Sequence, residues 1–280
     1  MPKTEEINLI LQIIKKSKKY NSISEELLKK EIQKYFKLNP KDINLLEKPK
    51  SKKFKEIIKA IKSKIHLAYG SFQTKDKGKR EEYLKNIQGI NDYKNHDLIL
   101  STSVSSKERL NDYKTLYRKI FKITGKPKKI IDLGCGLNPI SYPYIGITDL
   151  IYKAYDIDRE DCDFLNKYFS LMKDYTKLKG TATMQDLSSI EEINKVPRAD
   201  VCLMFKFLDV IESKGHKLSE QIIKTLNCKY IISSFPTKTV SGNKMKHPYR
   251  GWIEKMLERI DYKFEKITTD NEIFYIIEKQ

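Results

Sequence analysis

The chain has 280 residues, of which 39% are hydrophobic and 33% charged, enough apolar material for a sizeable core and too much charge for a membrane protein. No run of eighteen apolar residues occurs, and Glu5 and Glu6 stand ahead of the first apolar positions, so neither a spanning helix nor a secretory signal is expected. Lys and Arg outnumber Asp and Glu by 55 to 37, a net charge of +18 that favours capture of polyanions, and residues 1–100 alone hold 24 basic and 13 acidic groups.

Residues 4–100 read as helices. Ile7, Ile10, Leu11 and Ile14 recur at the helical period, with lysines on the other side. Ser22, three residues before Glu25, is a capping-box signature for a second helix through Leu27, Leu28, Ile32 and Phe36, and Asn39-Pro40 ends it. Phe54, Ile57, Ile58, Ile61, Ile65 and Ala68 mark a third helix that carries Lys52, Lys53, Lys55, Lys59, Lys62 and Lys64. The pattern predicts a basic α-helical domain over residues 1–104.

From Lys128 short apolar runs alternate with helical patterns. Strands are predicted at 130–133, 151–155, 201–205 and 230–233, with helices around 159–172, 216–226 and 247–260. The segments 262–267 and 272–278 read as a closing antiparallel hairpin. Alternation of this kind implies an α/β domain over 105–280, built on a Rossmann-like, doubly wound parallel sheet.

The strongest chemical signal is Lys129-Ile-Ile-Asp-Leu-Gly-Cys-Gly-Leu-Asn-Pro139, a buried strand running into Gly-x-Gly. Gly134 and Gly136 permit a tight turn and let a ligand approach bare backbone. Asn138 can cap the following helix and Pro139 suits its first turn. Asp156, twenty residues beyond Gly136, ends the next strand at the distance from which a carboxylate reaches a ribose. Asp186, with Leu187 beside it, follows a third short strand and could accept from an adenine amine. The third glycine of a nicotinamide-binding G-x-G-x-x-G is missing, and the pattern instead resembles the class I S-adenosylmethionine (SAM) methyltransferases.

Flanking segments narrow that resemblance. Ser103-Val-Ser-Ser-Lys-Glu-Arg-Leu110, Ala154-Tyr-Asp-Ile-Asp158, Ser233-Ser-Phe-Pro-Thr-Lys-Thr-Val-Ser-Gly242 and Arg250-Gly-Trp252 stand with Lys64-Ile-His-Leu-Ala-Tyr-Gly-Ser-Phe72. Together they are similar to the aminoglycoside-resistance 16S rRNA (guanine-N7) methyltransferases of the Arm/Rmt type, over roughly residues 64–280. The resemblance implies SAM as cofactor, small-subunit rRNA as substrate and a class I methyltransferase fold with its closing hairpin behind a helical N-terminal domain. It implies that Arg109 pairs with the methionyl carboxylate, a task that suits a planar fork. Ser103, Val104 and Ser105 would lie along the cofactor, although Ser103 stands where the family usually has His. Phe72 would cover the pocket, Asp132, Gly134 and Gly136 would underlie the cofactor, and Asp156 and Ile157 would meet the ribose. Asp186 and Leu187 would frame the adenine, and Phe205 would line the pocket near the methyl group.

Guanine N7 offers an in-plane lone pair and loses no proton on methylation, so alignment is required and no acid/base catalyst is assigned. The fourth strand ends Met204-Phe-Lys-Phe207 and lacks the Asn/Asp-Pro-Pro-Tyr/Phe clamp of amine methylases. Cys202 reads as a buried small hydrophobe rather than a nucleophile. The four cysteines stand singly and the four histidines show no ligand spacing, so no metal is expected, and a reducing cytoplasm fits. Candidate RNA contacts are Lys206, Lys238, Lys244, Lys246 and Arg250 at the carboxyl ends of the strands, and Lys52, Lys53, Lys55, Lys59, Lys62 and Lys64 in the N-terminal domain. A monomer docking on the small ribosomal subunit, with no membrane association, is the expectation. Three alternatives stay open: a different RNA such as tRNA or a different base atom, a SAM-binding RNA-interaction protein without turnover, and a small-molecule methyltransferase.

Overall fold

The computed structural model describes residues 2–279 except 18, 19, 21, 22, 24, 47, 66–74, 213, 214, 239–242, 244, 246 and 247. The chain divides into two compact units, Met1–Gln73 with Ile157–Glu160, and Thr74–Asp156 with Asp161–Gln280.

In the first unit α1 (Thr4–Lys15), α2 (Glu25–Leu38) and α3 (Lys52–Ile65) surround one apolar core. The periodic residues Ile7, Ile10, Leu11 and Ile14 of α1 are buried, as are Phe54, Ile57, Ile58, Ile61 and Ile65 of α3. This is the one-sided burial that spacing of three and four residues produces on a 3.6-residue period. After α2 the chain enters a 3-10 turn over Pro40–Leu45, and Asn39 donates its side-chain amide to the Tyr35 carbonyl at 2.8 Å. Ser22 of the expected capping box and Ala68 lie outside the described residues.

The second unit begins with four helices, α4 (Arg80–Lys85), α5 (Tyr93–Leu100), α6 (Val104–Glu108) and α7 (Tyr113–Thr124). Seven described strands then form one sheet: β1 (Lys129–Leu133), β2 (Ile151–Asp156), β3 (Lys179–Met184), β4 (Ala199–Phe205), β5 (Cys228–Pro236), β6 (Lys263–Thr268) and β7 (Glu272–Glu278). Their order is β3-β2-β1-β4-β5-β7-β6, with β1 to β5 parallel and β7 antiparallel to both β5 and β6. The remaining helices are α8 (Tyr142–Ile145), α9 (Arg159–Met172), α10 (Ile190–Ile193), α11 (Leu208–Ile211), α12 (Lys217–Thr225) and α13 (Gly251–Arg259). This is the expected doubly wound sheet with its closing hairpin.

Strand alternation sends neighbours to opposite faces. Ile130 joins the core shared with α5 and α7, while Ile131 joins the core shared with α12 and α13. The same packing moves the domain division away from residue 104. Leu84, Ile87, Ile99, Leu100, Tyr113 and Leu116 all bury in the sheet core, so the helices over 80–124 belong to the second unit and the division falls at 73/74. Cys202 is fully buried on β4, and burial pushes its thiol up, as suits a small core residue.

Candidate cofactor site

The site is built at the carboxyl ends of β1, β2 and β4, where an open α/β sheet binds ligands. Asp132, 1% exposed, lies within β1 one residue before its end. Its Oδ2 accepts from the Asn138 amide at 2.9 Å and the Tyr152 hydroxyl at 2.7 Å, while its buried Oδ1 has no hydrogen-bond partner among the described residues. Burial, partly opposed by those two bonds, raises the carboxyl to about 6. Asn138 does not cap a helix as its position suggests: its side chain turns back to Asp132, and the chain makes a 3-10 turn over Asn138–Ser141 with Pro139 in its first turn.

Gly134 and Gly136 have φ values of 63° and 47°, the left-handed region that side chains disfavour. They serve different needs. A Cβ on Gly134 would stand 2.6 Å from the Phe207 ring, so this glycine makes room for a neighbouring side chain. A Cβ on Gly136 would meet nothing within 4 Å, which leaves open space over bare backbone. Asp156 is joined to that second glycine: its Oδ2 accepts the Gly136 N–H at 2.8 Å. The Asp156 carbonyl accepts the Gln185 N–H at 2.8 Å and so draws in the segment of Asp186, whose Oδ1 accepts the Ser188 N–H at 3.0 Å. Leu187 is buried in the sheet core, and Ile157 packs on the core of the first unit.

Ser103 is the N-cap residue of α6 and is buried, whereas Val104 and Ser105 are half-buried. Arg109, at the other end of α6, is 3% exposed. Its Nη1 donates to Glu272 at 3.0 and 3.3 Å, its Nε to the Tyr113 hydroxyl at 3.4 Å, and its guanidinium lies 5.0 Å from the centre of the Phe205 ring. Burial works most strongly against the charge, but Glu272, Tyr113 and Tyr117 together outweigh it and hold the group above its usual range. Arg109 Nη2 makes no hydrogen bond to a described residue.

Glu272, fully buried, is the residue that sequence reasoning missed. It also accepts from Ser234 Oγ at 2.7 Å and stands 3.4 Å from Lys206 Nζ, which pairs with Glu108 as well. A single acid opening the otherwise apolar run Glu272-Ile-Phe-Tyr-Ile-Ile was the available signal. Lys206, placed by sequence among RNA contacts, is 9% exposed and held by two carboxylates in a left-handed conformation at φ 57°.

Of the other candidate RNA contacts, Lys52, Lys53, Lys55, Lys59 and Lys64 are exposed on α3 and Lys62 is half-buried; none has an ion pair among the described residues. Lys238 is half-buried. Arg250 pairs with Asp209 at 3.1 Å and lies 5.6 Å over the Phe235 ring. Trp252 stacks on His216, with ring centres 4.0 Å apart, and Tyr249 is exposed. Phe72, Lys244 and Lys246 lie outside the described residues. Among the described residues no helix is long and apolar enough to cross a membrane.

The family described as ribosomal RNA methyltransferase (FmrO) matches residues 94–276. A 16S rRNA (guanine(1405)-N(7))-methyltransferase from Micromonospora rosea is 25% identical over 235 residues, covering 80% of this chain and 83% of that protein. One from Proteus mirabilis is 27% identical over 251 residues, with 80% and 85% covered. Among solved structures, the 16S rRNA methyltransferase RmtF in complex with S-adenosyl-L-homocysteine aligns with TM-score 0.76 at 21% identity, covering 99% of this chain and 100% of that one. The 16S rRNA methylase RmtB aligns with TM-score 0.72 at 24% identity, covering 98% of each chain. Both show the fold.

Proposed function

The chain belongs to the ribosomal RNA methyltransferase (FmrO) family, and from that premise we propose that it transfers the methyl group of SAM to N7 of a guanine in 16S rRNA. The names of the relatives carry that reaction, with guanine 1405 as its site. The proposed substrate form is the assembled small subunit, met by a monomer in the cytoplasm.

One observation carries the reading. The methionyl end of SAM is a zwitterion, and the site offers a buried carboxylate, Asp132, whose Oδ1 has no partner among the described residues, within electrostatic reach of the buried guanidinium of Arg109. Buried polar atoms are normally satisfied, so an orphaned acceptor beside a buried cation fits a ligand that brings both charges. Arg109 would take the carboxylate and Asp132 the ammonium. Asp156 would take the ribose beside the open backbone of Gly136, and Asp186 the adenine amine.

Bound there, SAM supplies an electrophilic methyl on its sulfonium. The chain's residues have to hold the guanine so that N7 lies in line with that methyl, and no side chain has to remove a proton. Phe205 ends β4 at this place and Lys206 follows it, and the pairing of Lys206 with Glu108 and Glu272 fixes that strand end against α6 and β7. The exposed lysines of α3 would grip phosphates of a large folded RNA, a grip that a small-molecule substrate does not need.

The test is methyl transfer from radiolabelled SAM to intact small subunits, naked rRNA and bulk tRNA, followed by mapping of the product. Label at a guanine N7 of the subunit's 16S rRNA is the expected result. Label only on tRNA overturns the substrate, and SAM binding without any transfer overturns the reaction.

A further inference from the structure

Arg80 opens α4 and is 3% exposed, and its guanidinium reaches two residues far apart in sequence. Nη1 donates to Asp161 Oδ1 at 2.6 Å, Nε to Thr102 Oγ1 at 2.6 Å and Nη2 to the Thr102 carbonyl at 3.4 Å. The Thr102 hydroxyl in turn donates a hydrogen bond to the Ile99 carbonyl at 2.7 Å, and Lys77 approaches the same Asp161 oxygen at 3.6 Å. Thr102 is 1% and Asp161 5% exposed. The geometry therefore uses the whole planar fork, which a lysine ammonium cannot reproduce.

Both partners stand at the roots of segments that form the candidate site. Thr102 immediately precedes Ser103 and the helix that ends in Arg109. Asp161 lies in the first turn of α9, and its neighbour Cys162 puts Sγ 3.9 Å from the Asp156 carbonyl. Asp156 in turn holds the Gly136 N–H. One guanidinium thus ties the segment that would bind the methionyl end to the turn that would bind the ribose.

We propose that Arg80 is a positioning residue for the cofactor: with Thr102 and Asp161 it sets the spacing between the Ser103–Arg109 segment and the Asp156–Gly136 turn, and so sets the affinity for SAM. The inference rests on the SAM reading above. Arg80 does not touch the cofactor on this view. Its role differs from plain stabilisation, because a buried ion pair is a weak net source of stability, whereas misplacement of either segment separates groups that must meet one ligand together.

The test compares Arg80→Lys, Thr102→Val and Thr102→Ser with the wild type, measuring SAM affinity by calorimetry well below every melting temperature and the KM for SAM and for small subunits. Arg80→Lys and Thr102→Val are expected to bind SAM about tenfold more weakly, as loss of a hydrogen bond to a charged group implies. Their KM for SAM should rise while that for subunits stays put, and Thr102→Ser should restore the wild-type value. Should Arg80→Lys fail to fold, the two Thr102 variants decide the question. Variants that melt earlier but bind SAM as tightly as wild type show a purely structural role and overturn the proposal. A wild-type protein that binds no SAM overturns the functional reading first, and this inference with it.

Discussion

Arg109 donates to Glu272 at 3.0 and 3.3 Å across 163 positions of sequence, and it joins the end of α6 to the first residue of β7. The pair does not stand alone, because Lys206 and Ser234 converge on the same carboxylate. With Glu108 on Lys206, the network binds α6, β4, β5 and β7 together at the edge of the candidate site. Such a network is costly to break from one side, since the charges left behind stay buried.

The first expectation follows from that asymmetry. Glu272→Gln keeps the shape but removes the charge that neutralises Arg109 and helps neutralise Lys206. Stability should fall by about 3 kcal/mol, which lowers the melting temperature by roughly 6–9 °C in scanning calorimetry. A variant that melts within a degree of wild type would show that the network contributes nothing.

Asp156 holds the Gly136 N–H at 2.8 Å and is the proposed partner of the ribose. Asp156→Ala should weaken SAM by about 1–3 kcal/mol and leave affinity for the small subunit unchanged. Titration calorimetry with SAM checks the first half, and filter binding of labelled subunits checks the second. Unchanged SAM affinity removes Asp156 from the site.

Asp132 makes stability depend on pH. Its folded value of about 6 lies above the ordinary value of 3.8, so the folded state favours the protonated form. The stability this contributes is fully present below about pH 4 and is lost as pH rises through 6. Asp132→Asn removes the titration, so its stability relative to wild type should improve by about 2 kcal/mol between pH 4 and pH 7. Denaturant midpoints across that range measure it, and a difference that does not move with pH contradicts the assignment.

The lysine face of α3 is expected to meet phosphate. Glutamate at positions 52, 53, 55 and 59 together should weaken subunit binding and make it less steeply dependent on salt, by roughly one unit of log–log slope for each phosphate no longer neutralised. SAM affinity should not change. An unaltered slope means that this face stays in water.

The local grammar of the chain was readable because its causes are local. The apolar period of α1 and α3, the buried runs of β1, β2 and β4, and the hairpin of β6 and β7 all follow from where neighbouring side chains must point. Gly134 and Gly136 announced a turn because few other residues accept their φ values, and Asp156 could be named because the strand after that turn ends beside it. The lysine face of α3 was equally plain, since Ile and Phe claim the opposite side of the helix.

What pairing at a distance decides was hidden. A helical period over residues 80–124 says that an apolar stripe needs cover, but not which core supplies it; the sheet does, and the division between the units moves to 73/74. Lys206 looks in sequence like one more surface cation, yet Glu108 and Glu272 bury and neutralise it. The same holds for Arg80 between Thr102 and Asp161. A charge can enter a protein interior only where an opposite charge or a set of hydrogen-bonding groups awaits it. That partner is supplied by strand order and helix packing, which no local spacing encodes.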